Sequence, residues 1–221
     1  MRDTHTHTHT HTHTQTTRLL LVRHGESTAN AQGVFSGWST DVVLTELGRR
    51  QASVTGAGLR RYARIDALYA SPLPRTRQTA ELIGAEIDLE PVLIDGLREI
   101  DVGEATGQPI TELATLHPHL LRDVDDESMM IPWPGGESHF QLRTRAMAAI
   151  EDIVERHPGQ TVVVVSHGGP LGWIVSTLAS VPPRPYREFR HQNCAVSELL
   201  VPSNPFRLPA ELIRFNDCAH L

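Results

Sequence analysis

Apolar residues fall into two registers along this chain. Short unbroken runs, Leu19-Leu20-Leu21-Val22 and Val162-Val163-Val164-Val165, have the length and branching of strands buried on both faces. Longer segments between them carry apolar positions three and four apart, as amphipathic helices do. The pattern predicts a strand over 18–23 and a helix capped by Thr45 that runs to about Arg64, with Leu47, Val54, Leu59 and Tyr62 as its stripe. A short strand over Ala67–Ala70 follows, broken by Ser71-Pro72, and a helix opens at Pro74 and reaches about Glu86. Residues 92–94 are a third strand candidate. The signal then weakens, with a short helix over Ile110–Leu116 and an acidic, proline-bearing stretch at 123–134. A helix over 140–156 stops at His157-Pro158-Gly159. A strand over 161–165, a helix over 170–179 and late strands over 195–201 and 212–215 complete the order. Strands alternating with helices imply an α/β fold, a three-layer α/β/α sandwich with a mostly parallel central sheet. Residues 103–140 read as a short lid insertion.

Composition narrows the picture. Residues 1–17 are a low-complexity tail, native or a tag, in which His5, His7, His9, His11 and His13 alternate with threonine. Such a tract could bind a metal ion but has nothing to bury, so it stays outside the fold and the site. Residues 18–221 make one domain. The net charge of −6 argues against a nucleic-acid partner. No apolar run approaches the roughly 20 residues of a membrane span, so a cytoplasmic protein is expected. Cys194 and Cys218 form neither a disulfide framework nor a metal motif, and no metal or cofactor is expected. All 20 basic residues are arginine, which excludes P-loop and Schiff-base chemistry that needs lysine. His117, His119, His139, His157 and His191 carry no pattern and are expected at the surface. Trp133, Met129, Met130 and Ile131 are expected as core filler.

The chemistry sits at two strand ends. Arg23-His24-Gly25 follows the first apolar run, and Ser166-His167-Gly168-Gly169 follows the second, where ligands gather in open α/β sheets. A phosphomonoester bound there needs fixed donors. Arg23 and Arg75, which opens a helix, can supply guanidiniums, and the backbone N–H groups of Gly25 and Gly168 can add to them. His24 attacks phosphorus only as neutral imidazole. His167, if protonated, would stabilise the transferring group. Glu99 is the candidate proton donor, with Asp101 and Glu104 as rivals. Ser27 in Gly25-Glu26-Ser27-Thr28-Ala29 is a poor nucleophile elbow, because the oxyanion-like His167-Gly168-Gly169 follows it in the chain instead of preceding it.

These motifs, taken in order, resemble the histidine phosphatase superfamily, the phosphoglycerate-mutase-like proteins. The resemblance rests on Arg23-His24-Gly25-Glu26-Ser27 with Asn30, and on Phe35-Ser36-Gly37-Trp38 with Leu44-Thr45-Glu46-Leu47-Gly48. Ser71-Pro72-Leu73-Pro74-Arg75, Leu97-Arg98-Glu99 with Gly103 and Gly107, Pro134-Gly135-Gly136-Glu137-Ser138, the His167 block, Asn193 and Asn216-Asp217 extend it over 18–221. It implies that His24 is the phosphorylated nucleophile. Arg23, Arg75 and His167 would complete the phosphate pocket, Glu99 would be the acid, and Asn30, Ser36 and Gly37 would line the substrate side. The expected function is a phosphatase of a small phosphorylated metabolite. The mutases of the family carry extra basic residues after the acid block, whereas residues 108–134 here hold Arg122 beside Asp123, Asp125, Asp126 and Glu127. A lid of that charge repels a highly anionic substrate. The mutase-like form of Phe35-Ser36-Gly37-Trp38 keeps a phosphoglycerate mutase as the alternative, with a non-catalytic phosphate-binding module more remote. Oligomeric state stays open, a homodimer included.

Overall fold

The computed structural model describes residues 15–121, 127–179, 190–203 and 209–221. Among them are strands β1 (Thr16–Arg23), β2 (Ala67–Ala70), β3 (Val92–Leu93), β4 (Thr161–Ser166), β5 (Val196–Pro202) and β6 (Glu211–Asp217). They form one sheet in the order β3-β2-β4-β1-β5-β6. The pairs β3/β2, β2/β4 and β4/β1 are parallel, while β5 lies antiparallel to both its neighbours. Only β5 therefore runs against the rest. β1 begins two residues ahead of the predicted start at Arg18, and Thr17, counted with the tail from sequence, is fully buried with its hydroxyl on the His157 carbonyl.

The alternation along each strand divides the core in two. Leu19 and Leu21 of β1, Val162 and Val164 of β4 and Tyr69 of β2 face α6 (His139–Arg156) and α7 (Gly168–Leu178). Leu20, Val22, Val163, Val165 and Leu68 face α2 (Glu46–Leu59) and α3 (Pro74–Ile87). Side chains one residue apart thus serve opposite layers, as the pleat dictates. Each fully buried branched side chain contributes about 1.5–3 kcal/mol. A third cluster joins Ile100, Val102, Leu113, Leu120 and Trp133 to Leu142 of α6 and Trp173 of α7, and builds the described part of the insertion above the strand tips. α4 (Ile110–Leu116) and α5 (Pro118–Leu121) lie in it.

Several expectations need correction. α2 ends at Leu59, not near Arg64, and Leu47 and Val54 are exposed. Its buried face is Gly48, Ala52, Thr55, Gly56 and Leu59, so that of the expected stripe Leu59 is buried, while Gly56 lets α3 approach closely at Ile83 and Glu86. His139 and His191 are buried rather than superficial. His139 stands between the Leu120 carbonyl and the Trp173 indole N–H, and His191 bonds Ser197, so hydrogen bonds satisfy each ring inside the protein. Met129 and Trp133 are core, but Met130 and Ile131 are exposed. Arg122 and the acidic residues at 123, 125 and 126 lie outside the described residues.

Candidate active site

β1 and β4 are adjacent, parallel and in register, with Val22 opposite Val165 and Arg23 opposite Ser166. The residue after each pair is a histidine, so topology alone sets His24 beside His167. Their rings stand edge to face with centroids 5.2 Å apart. A β-carbon on Gly25 would collide with the Gly48 carbonyl, and one on Gly48 with that of Glu26, so the loop after His24 rests directly on the first turn of α2. The Asn193 amide donates to the His24 carbonyl at 2.9 Å and holds it from the other side.

His24 is 3% exposed, and its Nδ1 lies 2.7 Å from the Gly25 carbonyl oxygen. A carbonyl only accepts, so Nδ1 carries the proton and Nε2 keeps its lone pair. Burial first, and then the charges of Arg75 and Arg23, hold this imidazole well below its usual range and keep it neutral. The same causes, led by burial, depress His167. The sequence reading allowed His167 a protonated form. Burial and the neighbouring guanidiniums instead favour the neutral ring.

Arg75 is 1% exposed near the start of α3, with Pro74 at the head of the helix. Its Nη2 donates to the Gly37 carbonyl at 2.9 Å, while Nε and Nη1 are buried without a hydrogen-bond partner among the described residues. Burial pushes its pKa down to about 10, so it stays cationic at neutral pH. An ionised guanidinium with two idle donors in a buried place is half of an ion pair. Arg77, two residues further along the same helix, is exposed and pairs with Glu81. Arg23 donates to the His191 carbonyl at 2.7 Å.

Glu99 approaches from the segment after β3. Its Oε1 accepts the Ile100 N–H at 2.8 Å, and its Oε2 lies 3.4 Å from the Gly169 amide at the head of α7. A β-carbon on Gly169 would displace the Glu99 carboxylate from its present position. The Glu99 carbonyl is held at 2.6 Å by the Trp38 indole and at 2.7 Å by Arg145, which also spans the carbonyls of Gly96 and Arg98. Among the rivals, Asp101 caps the Gly103 amide and Glu104 is exposed.

The structure thus gathers His24, His167, Arg23, Arg75 and Glu99 at one end of the sheet. Gly168 stands beside them, 3.9 Å from the Arg23 Nε if given a β-carbon. Gly37 serves Arg75 through its carbonyl, and Ser36 lies half-buried just before it. Asn30 is occupied by scaffold: its Oδ1 accepts from the Ser27 and Asn193 amides. Gly25 is no anion donor, because its N–H is spent on Thr79 Oγ1 at 3.1 Å. Ser27 is fully buried and caps α1 (Thr28–Gln32), which removes the esterase reading. Sequence reasoning missed Thr79, Arg145, Trp38 as a bond donor, and Gly169. Arg145 reads as any helix-surface arginine, and only the fold shows what it grips.

A buried neutral histidine beside two Arg75 donors without a partner among the described residues makes a candidate anion pocket at the strand tips of this α/β protein. The chain belongs to the histidine phosphatase superfamily (branch 1), whose family model matches residues 19–210. Among curated relatives it is 33% identical to a "Probable phosphoglycerate mutase GpmB" of Yersinia enterocolitica, over 92% of this chain and 94% of that one. Among solved structures it resembles a phosphoserine phosphatase of Entamoeba histolytica in complex with 3-phosphoglyceric acid. That match has a TM-score of 0.77 and 28% identity, and covers 93% of this chain and 99% of that one. A mycobacterial glucosyl-3-phosphoglycerate phosphatase shares the fold with a TM-score of 0.77 at 24% identity, covering 91% and 99%. The family therefore includes both phosphatases and a mutase-named relative of this chain.

Proposed function

We propose that the protein is a phosphomonoester hydrolase that works through a phosphohistidine on a small phosphorylated metabolite. The observation that carries this reading is the Nδ1 bond of His24 to Gly25, which leaves a neutral Nε2 in the field of buried Arg75 and half-buried Arg23. Arg75 and Arg23 take the phosphoryl oxygens. Nε2 forms a bond to phosphorus as the ester P–O bond breaks, and the departing alkoxide takes a proton from the Glu99 carboxyl. Water then attacks the phosphohistidine and gives a proton back to Glu99, and the P–N bond breaks to return neutral His24 and inorganic phosphate. Catalysis here is mainly positioning and electrostatic stabilisation, as in other phosphoryl transfers.

A cavity of about 580 Å³ continues from Arg23 and Glu99 toward Phe35, Ile110, Gln51 and Asn193. It offers room for a body of metabolite size with both apolar and amide walls. Phosphate release from a panel of metabolite phosphomonoesters tests the reading. It predicts turnover of at least one ester, and no turnover by His24→Ala. Glu99→Gln should slow alkyl esters about 10²–10⁴-fold and aryl phosphates far less, because only an alkoxide needs protonation.

The likeness to GpmB and the Phe35-Ser36-Gly37-Trp38 block favour a second reading, phosphoglycerate mutase, with the same phosphohistidine returned to a hydroxyl of substrate. A coupled assay on 3-phosphoglycerate with catalytic 2,3-bisphosphoglycerate separates the two. Isomerisation faster than phosphate release would select the mutase.

A further inference from the structure

We propose that Ser71 is a positioning residue for the phosphate pocket: its hydroxyl proton fixes His167 as the neutral Nδ1–H tautomer, so that Nδ1–H donates to the bound phosphoryl group. The proposal deepens the phosphohistidine reading above and rests on it for the identity of the anion.

Ser71 is fully buried where β2 ends, and its Oγ lies 2.9 Å from His167 Nε2. That oxygen already accepts the Leu73 N–H at 3.3 Å. Its single proton has one acceptor among the described residues, His167 Nε2. Thr76 Oγ1 also faces Nε2, at 3.4 Å, but its proton is given to the Leu73 carbonyl at 2.8 Å, so it supplies none. A serine that donates to Nε2 requires a lone pair there, which leaves the ring proton on Nδ1. His167 Nδ1 is buried with no hydrogen-bond partner among the described residues. It belongs to the ring that stands against His24, within the field of Arg75 and Arg23.

The opposite tautomer fails on each count. With Nε2 protonated, the Ser71 hydroxyl would lose its acceptor and Nδ1 would turn a lone pair on an incoming anion, which repels it. An imidazolium is opposed by burial and by the neighbouring guanidiniums. Ser71 thus does for His167 what the Gly25 carbonyl does for His24, with the opposite element of the bond. A carbonyl fixes the nucleophile by accepting from it, and a hydroxyl fixes the phosphate donor by donating to it.

The test is the ¹⁵N spectrum of the His167 ring in the resting protein, read without substrate. The expected result is a neutral ring protonated at Nδ1. Ser71→Ala should move it toward the Nε2–H form or a mixture, and Thr76→Val should leave the tautomer as in wild type. With p-nitrophenyl phosphate, Ser71→Ala should lower kcat about 10- to 100-fold, and Ser71→Thr should recover part of that loss. A wild-type ring protonated at Nε2, or at both nitrogens, overturns the proposal. So does Ser71→Ala with the tautomer and kcat unchanged. If Ser71→Ala fails to fold, the wild-type spectrum still decides. Absence of any turnover or phosphoenzyme in wild type would instead strike the reading in the previous subsection, while the spectrum continues to report on Ser71.

Discussion

Two places on this sheet bury charge, and they treat it in opposite ways. Toward the amino ends of β1 and β4, Glu198 is 1% exposed and is fully engaged: Arg18, Arg214 and the Tyr62 hydroxyl all bind its carboxylate. At the strand tips Arg75 is as deeply buried, yet two of its three nitrogens have no partner among the described residues, and neither has the Nδ1 of His167. A buried donor left unsatisfied costs about 1–3 kcal/mol, so such donors call for a partner. One end is closed by its own carboxylate, and in the proposed reading the other is completed by the phosphate of the substrate. The contrast separates a structural cluster from a binding site, although both are arginine-rich.

The largest effect should come from breaking the open end. Arg75→Met should cut turnover about 10³-fold or more, as loss of a phosphate-stabilising arginine does elsewhere, while the melting temperature holds or rises because an uncompensated charge has gone. Thermal melts beside kinetics on the same variant check this. The closed end should respond the other way. Glu198→Ala should destabilise the fold by about 3 kcal/mol, the low end for breaking such a cluster, since the arginines left behind are about a third exposed and can hydrate. Denaturant unfolding measures it.

Inorganic phosphate should stabilise the wild-type protein by about 2.7 kcal/mol at 100 times its Kd, and should add far less to Arg75→Met. A smaller effect is expected from pH. His24 and His167 titrate below their ordinary value of about 6.5 when folded, so the unfolded chain binds more protons between the two values. Stability is therefore complete above about pH 6.5 and declines as pH falls toward the folded pKa values. Denaturant midpoints from pH 7 to pH 5 should show the decline, with a gentler slope in His24→Gln.

Much of this was legible in the sequence because the informative signals are local. Unbroken apolar runs ending in His24 and His167 mark buried parallel strands and their tips. Pro74 before Arg75 marks a helix start. The α2 stripe misled at Leu47 and Val54 because the buried face there uses Gly48, Ala52 and Gly56, and small residues carry little hydrophobic signal. Partners distant in the chain were illegible for a different reason. Ser71 meets His167 across 96 positions, and Arg145 meets Glu99 across 46. Only the pairing of β2 with β4 brings the first pair together, and nothing in either residue's neighbours announces it. The same holds for His139 and His191, whose buried partners belong to other elements.

The central claim is that the imidazole of His24 becomes covalently phosphorylated. Rapid quenching of the protein with a turned-over phosphomonoester, under alkaline conditions, followed by peptide mass spectrometry, tests it most directly. The account predicts an acid-labile, base-stable phosphate on the peptide that contains His24, absent from His24→Ala. Turnover at full rate by His24→Ala, or a trapped phosphate on another residue, would contradict it.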